Sequence, residues 1–350
     1  MLTGKGSPIA EGSRVYVDQF IWIHLARANT DSTHPAFKLL TNLRALKRAN
    51  AITVPLSATH YLELWNRRSY SSREAVGDLM IELSDFTTLS AIHTVRQTEV
   101  SDAVLSWVRT GNPHENDDTR VSILGRGAEH AFGSVSGRFR FVESVANETV
   151  AEGPAAAEPQ DFIHLRSALS FDKWQRFNLI GIPALYQFED NGFDLRPLHR
   201  LGNAFASEHN HLRDHWDLSA DPSLLFRLLA NWSLEGLREE ISIAFSGAGD
   251  DPNRYFTGPT AGAAFLSAIP TENVRLNLLY DLHQDPGYLF KQHDQADIDS
   301  LALAVPYCDF VFTERHWAHH LAKSGLAGEY STVVPAGVDE MNRALTTRLT

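Results

Sequence analysis

Cysteine is almost absent from this 350-residue chain, in which Cys308 stands alone. One thiol cannot close an internal disulfide, and it excludes a zinc site built on several cysteines. Long apolar runs are missing as well. With no stretch of eighteen apolar residues, nothing is expected to span a membrane, and residues 1–13 lack the apolar segment of a signal peptide. A cytoplasmic location is the resulting expectation. Positive charge is scarce: 31 Lys and Arg against 43 Asp and Glu give a formal net charge of −12. That balance weighs against a surface that grips nucleic acid everywhere, because phosphate neutralisation dominates such affinity. It leaves room for a site that recruits divalent cations. Basic residues are also grouped locally, as Arg44, Lys47 and Arg48 and then Arg67, Arg68 and Arg73, a pattern that serves either phosphate binding or a solvated helix face.

What is present is an ordinary folded composition, 43% hydrophobic and 21% charged, long enough for one core domain with a large insertion. Val15 and Val17 alternate around Tyr16 before Asp18, which reads as a short strand over 14–18. Residues 20–28 and 35–49 read as helices, the second with Phe37, Leu40, Leu43 and Leu46 at helical spacing. A second strand is expected at 51–54, then a helix with Ser57 as its N-cap. Strand, helix, strand, helix in succession predicts a parallel sheet covered by helices. Between 94 and 270 the pattern becomes mostly helical, with helices expected at 99–109, 163–177, 223–230 and 234–245. Loop-forming stretches separate them at 111–118, 125–137, 148–159 and 247–259, and an Ala- and Pro-rich connector occupies 153–159. A helix at 272–283 follows. Ile298, Leu301, Ala302 and Val305 then form the apolar stripe of another helix, which Pro306 is expected to stop. A strand at 309–313, a helix at 314–323 and a last short strand at 331–335 complete the reading. The expected organisation is a core in two parts, 14–93 and 271–336, interrupted by a helical insertion at 94–270.

Four carboxylates fall at element ends in this scheme: Asp18 after the first strand, Glu63 in the helix after the second, Asp297 at a helix start, and Glu314 after the later strand. Ligands of open α/β sheets bind beyond the carboxyl ends of the strands. Asp294 shares a helix face with Asp297, whereas Asp299 projects about 200° around from it and is expected to serve another purpose. Such oxygen-rich groups suit magnesium or manganese, and like charges held close are costly unless a cation or a proton neutralises them.

The segments Val15-Tyr16-Val17-Asp18, Pro55-Leu56-Ser57 through Glu63, Asp294-Gln295-Ala296-Asp297 through Asp309, and Phe312-Thr313-Glu314 resemble the signature regions of PIN-domain nucleases. The resemblance covers roughly 14–92 and 272–335, under half the chain. It implies an α/β/α three-layer sandwich with a mainly parallel sheet and a metal-dependent ribonuclease activity, as in many bacterial toxins and defence proteins. Asp18, Glu63, Asp297 and Glu314 would be catalytic; Asp18, Glu63, Asp297 and Asp294 would hold Mg2+ or Mn2+. Glu314 stands where the family commonly has Asp. Arg44, Lys47, Arg67 and Arg68 are the candidates for positioning phosphate, and RNA is preferred to DNA as substrate.

Each acid also has a structural reading. Asp18 suits a strand-end turn, Glu63 an ion pair with Arg67 or a partner for His60, Asp297 an N-cap, and Glu314 a helix N-terminus. Their joint order is what those readings do not predict. His209, His211 and His215 read as a solvated polar face. His316, His319 and His320 either approach phosphate or cover the surface, and Trp65 and Trp317 read as core. The glycines at 125–127 and 133–137 read as turns, since no strand is expected before them. The competing function is a catalytically inactive scaffold that binds a protein partner through the helical middle; assembly with further copies of the chain is also open.

Overall fold

The computed structural model describes residues 12–67, 69–115, 123–139, 157–181, 196–215, 222–258 and 260–349. They form a mixed α/β protein, mostly helical, around a small parallel sheet. The N-terminal part runs β1 (Ser13–Val17), α1 (Gln19–Thr30), α2 (Phe37–Arg48), β2 (Ile52–Thr53), α3 (Ala58–Trp65), α4 (Tyr70–Ser84) and β3 (Thr87–Leu89). Next come α5 (Ile92–Thr110), β4 (Leu124–Arg126), α6 (Gly127–Phe132), α7 (Gln160–Ala168), α8 (Phe171–Leu179), α9 (Arg196–His215), α10 (Pro222–Gly236), α11 (Arg238–Ala248) and α12 (Ala261–Ser267). The C-terminal part is α13 (Pro270–Gln284), α14 (Asp294–Tyr307), β5 (Phe310–Phe312), α15 (Arg315–Lys323), α16 (Leu326–Glu329) and α17 (Val338–Leu349).

β1 lies between β2 and β5, parallel to both, with Val15, Tyr16 and Val17 opposite Phe310, Val311 and Phe312. Strand alternation then divides the core. Val15, Val17, Phe310 and Phe312 point into one apolar cluster, with Trp22, Leu25, Leu40, Leu64 and Leu345. Tyr16 and Val311 point into the other, with Trp107, Phe245, Phe265, Leu278 and Val305. Helices therefore cover both faces of the sheet, and the helical middle shares a core with α13 and α14 rather than standing apart.

Several expectations need correction. Residues 125–126 are not a turn: β4 pairs antiparallel with β3, which the sequence did not announce, and α6 follows directly. Gly127 makes the junction, with a φ of +84° and the Gln175 amide where a Cβ would stand. The single helix expected at 163–177 is two, broken at Leu169 and Ser170. Pro306 does not stop α14 before itself but sits in its last turn, and the helix ends one residue later at Tyr307. The last strand expected at 331–335 is reduced to one bridge between Val333 and Phe310. Most of the connector at 153–159 lies outside the described residues. Among the described residues no helix is long and apolar enough to cross a membrane.

Candidate active site

The carboxyl ends of β1 and β5 are tied together. Asp18 N–H donates to the Phe312 carbonyl at 2.8 Å, and the side chain of Thr313, one residue beyond β5, donates to Asp18 Oδ2 at 2.7 Å. Asp18 is also the N-cap of α1, accepting from Phe20 N–H at 3.4 Å. Its structural reading is thus true in part. It does not account for the second oxygen, which Thr313 orients.

α3 brings Glu63 to the same edge. Ser57 and His60 form its capping box, with His60 where the rule expects Glu or Gln. His60 is buried, and burial depresses its pKa to about 4, so the ring is neutral. Ser57 N–H donates to Nδ1 at 2.8 Å, which leaves the proton on Nε2, and Nε2–H donates to the Val17 carbonyl at 2.8 Å. That bond holds α3 against the end of β1. Thr59 and Ser300 hydroxyls, 2.6 Å apart, tie α3 to α14. Trp317 of α15 donates from Nε1 to Asp297 Oδ2 at 3.3 Å. Neither structural partner weighed for Glu63 is taken up: Arg67 donates to Ser72 at 2.6 Å and 3.0 Å, and both nitrogens of His60 are engaged elsewhere.

Electrostatics links the four acids through Asp18, whose charge acts on each of the other three. Burial, followed by repulsion from Asp18, Asp294 and Glu314, pushes Asp297 up to about 8, against the Trp317 hydrogen bond. Glu63 is raised well above the usual carboxylate range by burial and then by Asp297, Asp18 and Glu314. Burial raises Asp18 as well, opposed by Thr313 and the N–H groups of Phe20 and Gln19. Desolvation and Asp18 raise Glu314, while His293 and Lys291 oppose the shift. No salt bridge to any of the four occurs among the described residues. The adjoining Gln19 amide is buried with neither its oxygen nor its nitrogen hydrogen-bonded, an arrangement that costs about 1–3 kcal/mol per group when nothing compensates.

Proximity stops short of coordination. Among the described residues no group of three or more His, Cys, Asp or Glu side chains is arranged to hold a metal ion. In donor chemistry the acids fit a hard divalent cation, being all oxygen and mutually repelled. Asp294, expected as a fourth ligand, is buried and accepts from Lys291 N–H at 2.7 Å, with Tyr288 also hydrogen-bonded to it. Asp297 lies in the first turn of α14 without being its N-cap. Asp299 pairs with Arg275 at 3.3 Å, the separate role its helical position implied.

The expected phosphate-positioning residues are not gathered at the acids. α2 leads into the amino end of β2, so Arg44 and Lys47 lie toward the opposite edge of the sheet; Arg44 is bound to Glu82 and Asn29. Arg67 is held by Ser72, and Arg68 lies outside the described residues. Lys291 and His293, both exposed, are the cations that act on Glu314 instead. His209 is not on a solvated face: it is buried, 2.9 Å from His283 and against Phe205 and Phe290. His211 is exposed, and the His215 side chain lies outside the described set. His320 is buried on Asp281 at 2.5 Å, whereas His316 and His319 are exposed. Trp65 and Trp317 are core residues, as expected.

Sequence reading gave no role to Thr313 or Ser300, offered His60 only as a partner for Glu63, and read Trp317 only as core. Thr313 adjoins Glu314 at a strand end and could have been suspected; His60 was masked by a capping rule that looks for a longer acid or amide. Compared with protein-family models, curated proteins and solved structures, the chain matches none.

Proposed function

We propose that this chain is a metal-dependent endonuclease that hydrolyses phosphodiester bonds in RNA. One observation carries the reading: Asp18, Glu63, Asp297 and Glu314, from four different elements at the carboxyl edge of the sheet, all have raised pKa values, Asp18 through burial and the other three through burial and the charge of Asp18, and no ion pair to any of them occurs among the described residues. Uncompensated like charges in a partly buried site are a mark of function rather than of stability. The resemblance of 14–92 and 272–335 to PIN-domain nucleases, and the sandwich fold it implies, support the same reading.

Asp18, Glu63 and Asp297, with Glu314 beside them, are the residues that would hold Mg2+ or Mn2+; Asp294 would act through Asp297. A bound divalent ion supplies Lewis acidity and a more acidic water. The chain's own groups do the rest. Thr313 fixes the Asp18 carboxylate, Trp317 orients Asp297, neutral His60 locks the helix that carries Glu63, and Lys291 and His293 offer positive charge to a phosphate beside Glu314.

The test is cleavage of labelled single-stranded RNA and DNA by the native protein and Asp18→Asn, with manganese, magnesium or EDTA. Metal-dependent cutting of RNA is expected, reduced by more than about a hundredfold in the variant, since loss of a group that merely supports a ligand already costs 10–100-fold. Undiminished cutting by Asp18→Asn in a preparation free of host nuclease would sink the assignment. The second reading, a scaffold that binds a protein partner, draws on exposed Leu201 and Ile243 in the helical middle. Silence from both proteins would favour it.

A further inference from the structure

We propose that the outer face of α1 is a stacking track for single-stranded nucleic acid leading out of the acidic site. This inference rests on the nuclease reading and adds to it the strandedness of the substrate and the side chains that grip it. Phe20 follows Asp18 by two residues, and its backbone N–H reaches the Asp18 carboxylate. On α1 the residues Ile21, Trp22, Leu25 and Ala28 turn into the core, while the Phe20 ring is 44% exposed. One turn on, the His24 ring lies 4.6 Å from Phe20 between centroids, inclined at 67°. His34, beyond the end of α1, lies 5.5 Å from His24. Its ring is fixed, because Nδ1 accepts Ala36 N–H at 3.1 Å. Exposed Arg27 occupies the same side of the helix as Phe20 and His24, by the helical repeat.

Three rings in file, beginning at the reacting edge and flanked by a guanidinium, are what a single strand needs. Unpaired bases stack on aromatic faces without regard to sequence, and arginine meets the phosphates. A duplex keeps its bases inside and can use only the cation. His24 is shifted toward its neutral form by desolvation, His34 and Arg27, which suits a ring used for its face rather than its charge. The track also answers the net charge of −12: base stacking supplies affinity that a scarcity of Lys and Arg does not.

The experiment measures fluorescence anisotropy of a short labelled oligouridine, and of a matching RNA duplex, with Asp18→Asn protein in manganese. Phe20→Ala, His24→Ala and Phe20→Tyr are each added to that background, and Asp18-dependent cleavage is assayed in parallel. Loss of one stacked base weakens binding by about tenfold, expected for both alanine variants with the single strand alone, while Phe20→Tyr binds as before. Both substituted positions are at least partly exposed, so the melting temperature should not move. Unchanged single-strand binding by Phe20→Ala alongside Asp18-dependent cleavage overturns the track and leaves the nuclease standing. Stacking-dependent binding without any cleavage does the reverse. Duplex bound as tightly as single strand, or single strand not bound at all, overturns the track, as does a Phe20→Ala effect confined to self-association.

Discussion

Around Glu272, acids are matched with cations. Arg96 lies 3.2 Å from its carboxylate, and Arg275 reaches from Glu272 to Asp299 at 3.3 Å. Glu99, buried beside them and pushed up to about 7 by that burial, is bonded to Thr271 and Tyr307. Every acid there has something to hold it while it ties α5, α13 and α14 together. At the ends of β1 and β5 the same residue types are arranged otherwise: the Asp18 charge raises the pKa of Glu63, Asp297 and Glu314, and the exposed Lys291 and His293 oppose the shift at Glu314. One cluster holds each of its acids with a cation or a hydroxyl and serves the fold. The other is left short of positive charge, which is the condition a divalent cation or a phosphate-bearing substrate with its cation would meet.

The contrast breaks most visibly if a cation is taken from the Glu272 cluster. Arg275→Met leaves Glu272 and Asp299 with less compensation in a mostly buried setting, and opening such a pair by removing one partner costs about 3–5 kcal/mol. Urea denaturation is expected to show a loss in that range that manganese does not repair. A loss below about 1 kcal/mol, the size of an exposed ion pair, would mean that the Glu272 cluster is no more structural than the site.

A smaller effect, of opposite sign, is expected at the site when metal is removed. Asp297 has a folded pKa of about 8 against an ordinary value of 3.8. Between those values the folded chain keeps a proton that the unfolded chain has lost, so this group's contribution is complete below about pH 4 and disappears as pH rises through 8. In EDTA the native protein should therefore lose melting temperature between pH 6 and pH 8.5. Asp297→Asn should lose less, and at the higher pH should melt on the order of a few degrees above it. Manganese should stabilise the native protein most at high pH, where the acids are ionised, and the variant less. Equal pH profiles for the two proteins in EDTA would show that Asp297 is not strained.

Much of the sheet edge was legible because short-range patterns fix it. Val15 and Val17 flanking Tyr16 give a strand, Asp18 must then stand at its end, and the spacing from Asp294 to Asp299 separates the two sides of α14. Long-range pairings were not legible. Grouped arginines look available in sequence, yet Arg44 is taken by Glu82, 38 residues away, and His209 is buried against residues from α13 and the turn after it. β3 and β4, three residues each and one containing glycine, carry too little alternation to stand out. Pro306 misled by a single residue, since α14 takes it into the last turn and ends directly after it at Tyr307.

The finest way to sharpen the contrast is Thr313→Val, which removes one hydroxyl from the site and keeps the buried volume. Thr313 Oγ1 donates to Asp18 at 2.7 Å, and hydrogen bonds to charged groups contribute about 1.5–3 kcal/mol. Without it Asp18 is expected to titrate higher still, because the Thr313 hydrogen bond opposes the rise that burial causes. The acidic limb of the kcat/KM profile should move up accordingly, with cleavage lost on that limb and little change where Asp18 is fully ionised. Thr313→Ser should restore the native profile, because it keeps the donor while losing a methyl group. A uniform loss at all pH values would assign Thr313 to packing alone. A shifted limb rescued by serine would show that the chain uses its own hydroxyl to keep charge on an acid that burial works to protonate.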